Sequence, residues 1–380
     1  MDIWTSLLES SAQKKRQNSK TILILGGTAE TQLAFLNQLE RTANCTSCTV
    51  VGPAHELNEF GIGYLYKDVL DNNQEDVIMR LHLYTLIDLN DSSAQLLEQI
   101  LQSGRIVWTD LLVVTLLDWD SARRWAREFA NTVSFLKKVL ANLDQDLVDD
   151  GLKKCRERYS RFSSVSFVDD NPSVLPVGQL DLRLGKGEYD SPIGVDVLVS
   201  VMHSEKMLVL ETEYGRKDDE FDFIQQFLRT VLLKHGTSLV YLSPDSTILF
   251  PLVHYILAVA CETTSRSSLL RAAALIRPNV VDRQAILIPA SWDSWSKIQV
   301  IKNSFDVEGV SQGWDSDTGA VVEVYEDVTH GFGSNSHGKP ERPEKPGSRV
   351  EISAMDPQTF LKEQQAIMNS LDTVNVIHTA

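Results

Sequence analysis

The stretch Thr21-Ile22-Leu23-Ile24-Leu25-Gly26-Gly27-Thr28-Ala29-Glu30-Thr31-Gln32-Leu33 decides how the rest of the chain is read. Its first five residues are apolar or β-branched and stop at a glycine pair, the pattern of a buried strand and a tight turn. From Thr31 to about Arg41 the apolar residues Leu33, Phe35, Leu36 and Leu39 recur at helical spacing. Strand, glycine turn and helix together form the opening unit of an α/β nucleotide-binding fold.

A phosphate loop, GxxxxGK[ST], needs glycines whose N–H groups wrap the phosphates, a Lys for the β/γ-phosphates and a Ser/Thr hydroxyl for Mg²⁺. Aligned without gaps from Gly26 and Gly27, Thr31 replaces the second motif glycine, Gln32 the Lys and Leu33 the Ser/Thr. The cation and the metal ligand are gone, and Glu30 adds a carboxylate that repels phosphate. The residues therefore predict a strand–helix turn that has lost its ligand. The alternative is an atypical site for GDP/GTP or ATP with Mg²⁺.

Two more elements of a GTPase site are equally altered. Asp88-Leu89-Asn90-Asp91 stands where DxxG is due, so Asp88 remains and the glycine does not. Met202-His203-Ser204-Glu205 stands where N/T-K-x-D would read the base; Glu205 keeps a carboxylate, but the Lys is replaced by His203. HExxH and GxSxG are absent, and no metal site is expected. His235 and His254 fall on helical patterns and read as structural or solvent-facing.

Further out, strand-like runs occur at Leu81–Ile87, Asp110–Leu117, Val195–Met202 and Ser238–Leu242. Helical patterns run from Ser121 to about Asp149, through Phe221, Ile224, Phe227, Leu228, Val231 and Leu232, and over Pro251–Ala260. Their alternation predicts a mostly parallel sheet with helices on both faces. The expected organisation is an amphipathic helix and linker over 1–20, carrying Ile3, Trp4, Leu7 and Leu8. A domain follows over 21–309, with an insertion at about 151–190. A Gly/Pro-rich linker over 310–356, a short helix over 357–371 and a tail over 372–380 complete the chain.

The 380 residues carry 36 Lys+Arg and 52 Asp+Glu, a formal charge of −16, which disfavours nucleic acid and anionic membrane surfaces. Apolar residues make up 43%, enough to bury a sizeable core. Four cysteines form no disulfide framework; Cys45 and Cys48 are a lone CxxC, read as reduced thiols. The opening MDIWTSLLESSAQKKRQNSK lacks the apolar core of a signal peptide, and runs such as Leu111–Leu117 are too short to span a bilayer.

Several stretches resemble one family, the light intermediate chain of cytoplasmic dynein. They are Asp2-Ile3-Trp4-Thr5-Ser6-Leu7-Leu8, Leu23-Ile24-Leu25-Gly26-Gly27-Thr28, Leu116-Leu117-Asp118-Trp119, Glu220-Phe221-Asp222-Phe223-Ile224-Gln225, Lys234-His235-Gly236-Thr237-Ser238-Leu239-Val240-Tyr241 and Ile288-Pro289-Ala290-Ser291-Trp292-Asp293-Ser294-Trp295-Ser296-Lys297-Ile298. The resemblance spans Asp2 to about Gly309, with a weaker echo at Gln358–Ser370, and the altered loop is similar to the fungal branch. It implies a Ras-like G domain with terminal extensions. The implied role is non-catalytic: docking on the dynein heavy-chain tail and binding cargo adaptors through a C-terminal helix, in the cytoplasm and on microtubules. No cofactor is expected, because the altered loop departs from members that keep a usable one. Aromatics anchor interfaces, so Trp4, Phe221, Phe223, Trp292 and Trp295 are candidates for the heavy chain. The stripe Phe360, Leu361, Ile367, Met368 and Leu371 is the candidate for adaptors. A free-standing adaptor module and an active NTPase using Asp88 and Glu205 are the competing readings.

Overall fold

The structure is a computed structural model. It describes residues 18–44, 49–57, 61–70, 77–104, 106, 108, 111–163, 165–166, 173–174, 184–260, 276–316 and 318–332. By compactness the chain divides into Met1–His337 and Gly338–Ala380. Trp4, residues 1–17 of the expected helix and linker, the CxxC, the adaptor stripe Phe360–Leu371 and everything expected beyond 332 lie outside the described residues, while Asn18–Lys20, expected as linker, belong to the first strand.

Eight strands form one sheet in the order β10-β9-β8-β5-β1-β4-β3-β2. They are β1 Asn18–Leu25, β2 Thr49–Val51, β3 Ile62–Leu70, β4 Val77–Leu86, β5 Leu111–Asp118, β8 Asp196–Met202, β9 Ser238–Leu242 and β10 Leu287–Ile288. β1 pairs in parallel with β4 and β5, β5 with β8, and β8 with β9, while β2–β3, β3–β4 and β9–β10 are antiparallel. A two-stranded ribbon, β6 Val165–Ser166 with β7 Ser173–Val174, stands apart from the sheet. This is a Ras-like G domain, as expected.

Alternate residues of β1 feed the two faces: Leu23 and Leu25 join one core cluster, Ile22 and Ile24 the other. The second cluster is covered by α1 Ala29–Asn44 and α7 Leu249–Ala260. The first is covered by α2 Asp91–Gln102, α3 Trp125–Ala141 and α6 Asp218–His235. α6 follows helix-dipole logic, with Asp218, Asp219 and Glu220 in its first turn and Gly236 closing it at φ 67°.

Three expectations change. The helix predicted from Ser121 to Asp149 is broken: a 3₁₀ turn, Trp119–Arg124, leads into α3, and α4 runs Gln145–Ser163. α4 enters the expected 151–190 insertion, where Gly151 lets the helix approach Trp108 and the carbonyl of Gly194 to within 2.9 Å of where a Cβ would stand. Residues 310–332 are not linker. Beyond the short helices α5 Lys206–Thr212 and α8 Trp295–Gln299, α9 Val307–Ser316, α10 Thr318–Val328 and a 3₁₀ turn His330–Phe332 pack onto the first core cluster through Trp314, Val322, Tyr325 and Phe332. Within this segment Gly313 serves close packing, since a Cβ there would meet Val321 Cγ2 at 2.4 Å.

Candidate functional site

A cleft of about 830 Å³ opens at the carboxyl ends of β1, β4, β5 and β8, where strand order reverses around β1. The chain reaches it through a short turn. β1 ends at Leu25, α1 begins at Ala29, and only Gly26, Gly27 and Thr28 lie between. Both glycines are left-handed, at φ 75° and 69°. The Gly26 N–H donates to Leu86 O at 3.0 Å, tying the turn to β4.

This brevity corrects the gap-free alignment. With so short a turn, Gln32 and Leu33 lie beyond the mouth and inside the helix. Gln32 is buried; its Nε2 donates to Gly26 O at 2.9 Å and to Leu86 O at 3.1 Å, bracing the turn from below. Leu33 faces a separate groove of about 490 Å³ beside Tyr64 and Tyr66. Glu30 and Thr31 face the cleft instead. The Thr31 N–H, one of the orphan donors of the helix start, is taken by Thr28 Oγ1 at 3.2 Å.

A polar network crosses the floor. Thr31 Oγ1 donates to Asp118 Oδ2 at 3.1 Å. Lys206 Nζ lies 2.5 Å from Asp120 Oδ2 and 3.7 Å from Asp118 Oδ1. Arg124 pairs with Glu128 at 3.5 Å. Burial raises the Glu128 carboxyl above the usual range, against the pull of Arg124. Glu30, Asp88, Asp118, Asp120 and Glu128 thus face Arg124 and Lys206 across one cleft. Among the described residues no group of three or more His, Cys, Asp or Glu is placed to hold a metal.

The base-reading segment fares differently. His203 is left-handed at φ 60° and stands at the cleft, its Nε2 3.8 Å from Asp118 Oδ2. Glu205 turns aside from the cleft wall and pairs with His203 Nδ1 at 3.2 Å. Sequence reasoning missed Lys206 and Arg124; Lys206 lies one residue past the motif, and Arg124 ends a 3₁₀ turn that helical periodicity hid.

The aromatic candidates for a partner surface divide. Phe221 is core, with ring contacts to Trp119 at 5.8 Å and Phe332 at 5.5 Å. Phe223 packs on Phe305 and Tyr325 at 5.8 and 6.1 Å. Phe221 is thus buried, whereas Phe223 is only partly buried against the first core cluster. Trp292 and Trp295 stay partly exposed. Lys297 lies over the Trp292 ring at 4.0 Å, and Trp295 packs against Gly187, where a Cβ would stand 2.2 Å from its Nε1.

His235 and His254 are structural. His235 is buried, its Nδ1 2.6 Å from Ser191 O, while Trp314 Nε1 donates to its Nε2 at 3.1 Å. His254 stacks on Phe250 at 5.9 Å. No described helix is long and apolar enough to cross a membrane.

Comparison with known proteins agrees with this architecture. The family profile described as dynein light intermediate chain (DLIC) matches residues 1–377. The human protein named cytoplasmic dynein 1 light intermediate chain 1 is 24% identical over 323 residues, covering 80% of this chain and 56% of its own length. The Dictyostelium discoideum protein of the same name is 24% identical over 359 residues, covering 79% and 64%. This chain therefore spans less than two thirds of these relatives. A solved structure titled "Crystal Structure of the Dynein Light Intermediate Chain's Conserved Domain" superposes with a TM-score of 0.67 at 32% identity, covering 82% of this chain and 98% of that one.

Proposed function

This chain belongs to the dynein light intermediate chain family, and from that premise we propose that it is a non-catalytic accessory subunit of the cytoplasmic dynein motor. In this reading its G-like domain docks on the heavy-chain tail and links the motor to cargo adaptors for transport toward microtubule minus ends. The observation that carries the non-catalytic part is the occupant of the helix mouth. Glu30 stands in the first turn of α1, where a phosphate loop opens its helix on a Lys, and Thr28 has already taken the Thr31 N–H. Lys206, the cation nearest the floor, is bound to Asp120. A triphosphate would have to break these contacts and enter a cleft with more carboxylates than cations.

Titration calorimetry with GDP, GTP and ATP in Mg²⁺ tests this, with no heat expected at micromolar nucleotide. Micromolar binding of any of them would sink it.

For the heavy chain, Trp292 is the aromatic that fits best, since it is only partly buried against the core and Lys297 lies over its ring. Trp292→Ala is expected to weaken co-purification with the heavy-chain tail without changing the far-UV spectrum. The adaptor role rests on the family and on the stripe Phe360, Leu361, Ile367, Met368 and Leu371.

One observation favours the second reading, an atypical nucleotide site: the cleft is open and retains the left-handed Gly26–Gly27 turn with Arg124 and Lys206 on its walls. Phosphate release above background, lost on Asp88→Ala, is what that reading requires.

A further inference from the structure

We infer that a single buried water molecule occupies the small cavity between α4, α6 and the loop from Pro289 to Asp293, joining these three segments. The cavity offers about 10 Å³ to a water-sized guest, close to the minimum for one molecule. Three of the residues that line it, from three different segments, each carry a buried side-chain atom with no hydrogen-bond partner: Tyr159 Oη of α4, Arg229 Nη1 of α6 and Ser291 Oγ of the loop. Tyr159 and Arg229 are 4% and 2% exposed, so bulk solvent does not serve them. Buried polar groups are rarely left unpaired, and three around one void of this size indicate a shared partner.

The chemistry narrows the guest. Arg229 Nη1 only donates, so the guest must accept a bond; the two hydroxyls can donate or accept. Water meets all three at once. An anion would also accept, but Asp293 walls the same cavity and already neutralises Arg229 through two bonds of 2.7 Å. A negative guest would meet that carboxylate, with Arg229, the cation lining the cavity, already paired to it. Burial also holds the Tyr159 phenol well above its usual range, keeping its proton available to donate. Ser291 itself is left-handed at φ 60°, a backbone state that a hydrogen-bonded Oγ helps to hold.

The test is a crystal structure of the full chain at a resolution that shows ordered water, with a parallel crystal soaked in bromide. One peak at full occupancy is expected, within about 2.7–3.2 Å of Tyr159 Oη, Arg229 Nη1 and Ser291 Oγ, with no anomalous signal. An empty cavity overturns the inference, as does direct bonding among the three side chains. An anomalous bromide peak replaces the water with an anion and overturns it equally.

Discussion

Arg229 and Asp293 face each other as a buried bidentate ion pair, with Nε to Oδ2 and Nη2 to Oδ1 both at 2.7 Å. The two residues are 64 positions apart, and their pairing pins the Trp292–Trp295 loop to α6. Removing one partner leaves a buried, uncompensated charge. Asp293→Ala is therefore expected to cost about 3–5 kcal/mol in urea unfolding, whereas Arg229→Met with Asp293→Leu recovers most of that loss. Equal loss in the single and double variants would show that the charges themselves matter little.

His235 sets an acid limit. Burial lowers its pKa from 6.5 to about 4, and both ring nitrogens already have partners in Ser191 O and Trp314. The folded state thus binds the proton more weakly than the unfolded chain. The stabilisation from the neutral ring is complete above pH 6.5, falls as pH drops through the window to about 4, and then levels off. The loss is on the order of 3 kcal/mol. Stability measured against pH, compared with His235→Gln, should show this slope vanish in the variant.

Gly236 is required twice over. It is left-handed at φ 67°, and a Cβ there would stand 2.3 Å from Tyr189 Cδ2. Gly215 is left-handed at φ 63° with open space around it. Gly215→Ala should cost about 1–2 kcal/mol from backbone strain alone, and Gly236→Ala clearly more. Thermal midpoints of the two variants compare them directly.

At the cleft, restoring a lysine by sequence alignment should fail. Gln32→Lys places the cation beneath the turn, not in the mouth, and takes the Gln32 amide from Gly26 O, while Leu86 O keeps the Gly26 N–H. The expected outcome is no gain in nucleotide affinity and a stability loss of about 1–3 kcal/mol. Nucleotide binding by Gln32→Lys would revive the gap-free alignment.

Tyr325 tests whether α9 and α10 belong to the domain. Its ring is fully buried 4.6 Å from Phe227, and its hydroxyl donates to Ala122 O at 2.8 Å. Tyr325→Ala should cost about 3–5 kcal/mol, as for an aromatic of a core and unlike a residue of a linker. Chemical denaturation monitored by the buried tryptophans reads it.

The sheet was legible where strands are buried on both faces. β1, β5, β8 and β9 each carry an apolar run, in β1 only Ile22–Leu25, and each lies within a residue or a few of its expected place. β3 was not legible, because Ile62–Leu70 mixes a glycine, a lysine and half-exposed tyrosines. Its lysine is buried only because Glu40 of α1 and Pro53 O receive it, which is long-range information. The helices of 307–328 were hidden for a related reason. The stretch over 310–356 was read as a Gly/Pro-rich linker, yet helix packing needs Gly313, and Lys234 and His235 of α6 supply partners to Ser311 and Trp314.

By itself, the order of residues determined the alternating architecture, the absence of a GxxxxGK[ST] motif and the family, since each depends on local pattern or on residue identity. Only the tertiary structure decided which residues occupy the cleft. A turn shortened to Gly26, Gly27 and Thr28 shifts α1 along its own axis, and each residue of shift rotates a helical side chain by about 100°. Gln32 thereby becomes a brace, Glu30 and Thr31 become the mouth, and Lys206 arrives from a distant strand end to pair with Asp120.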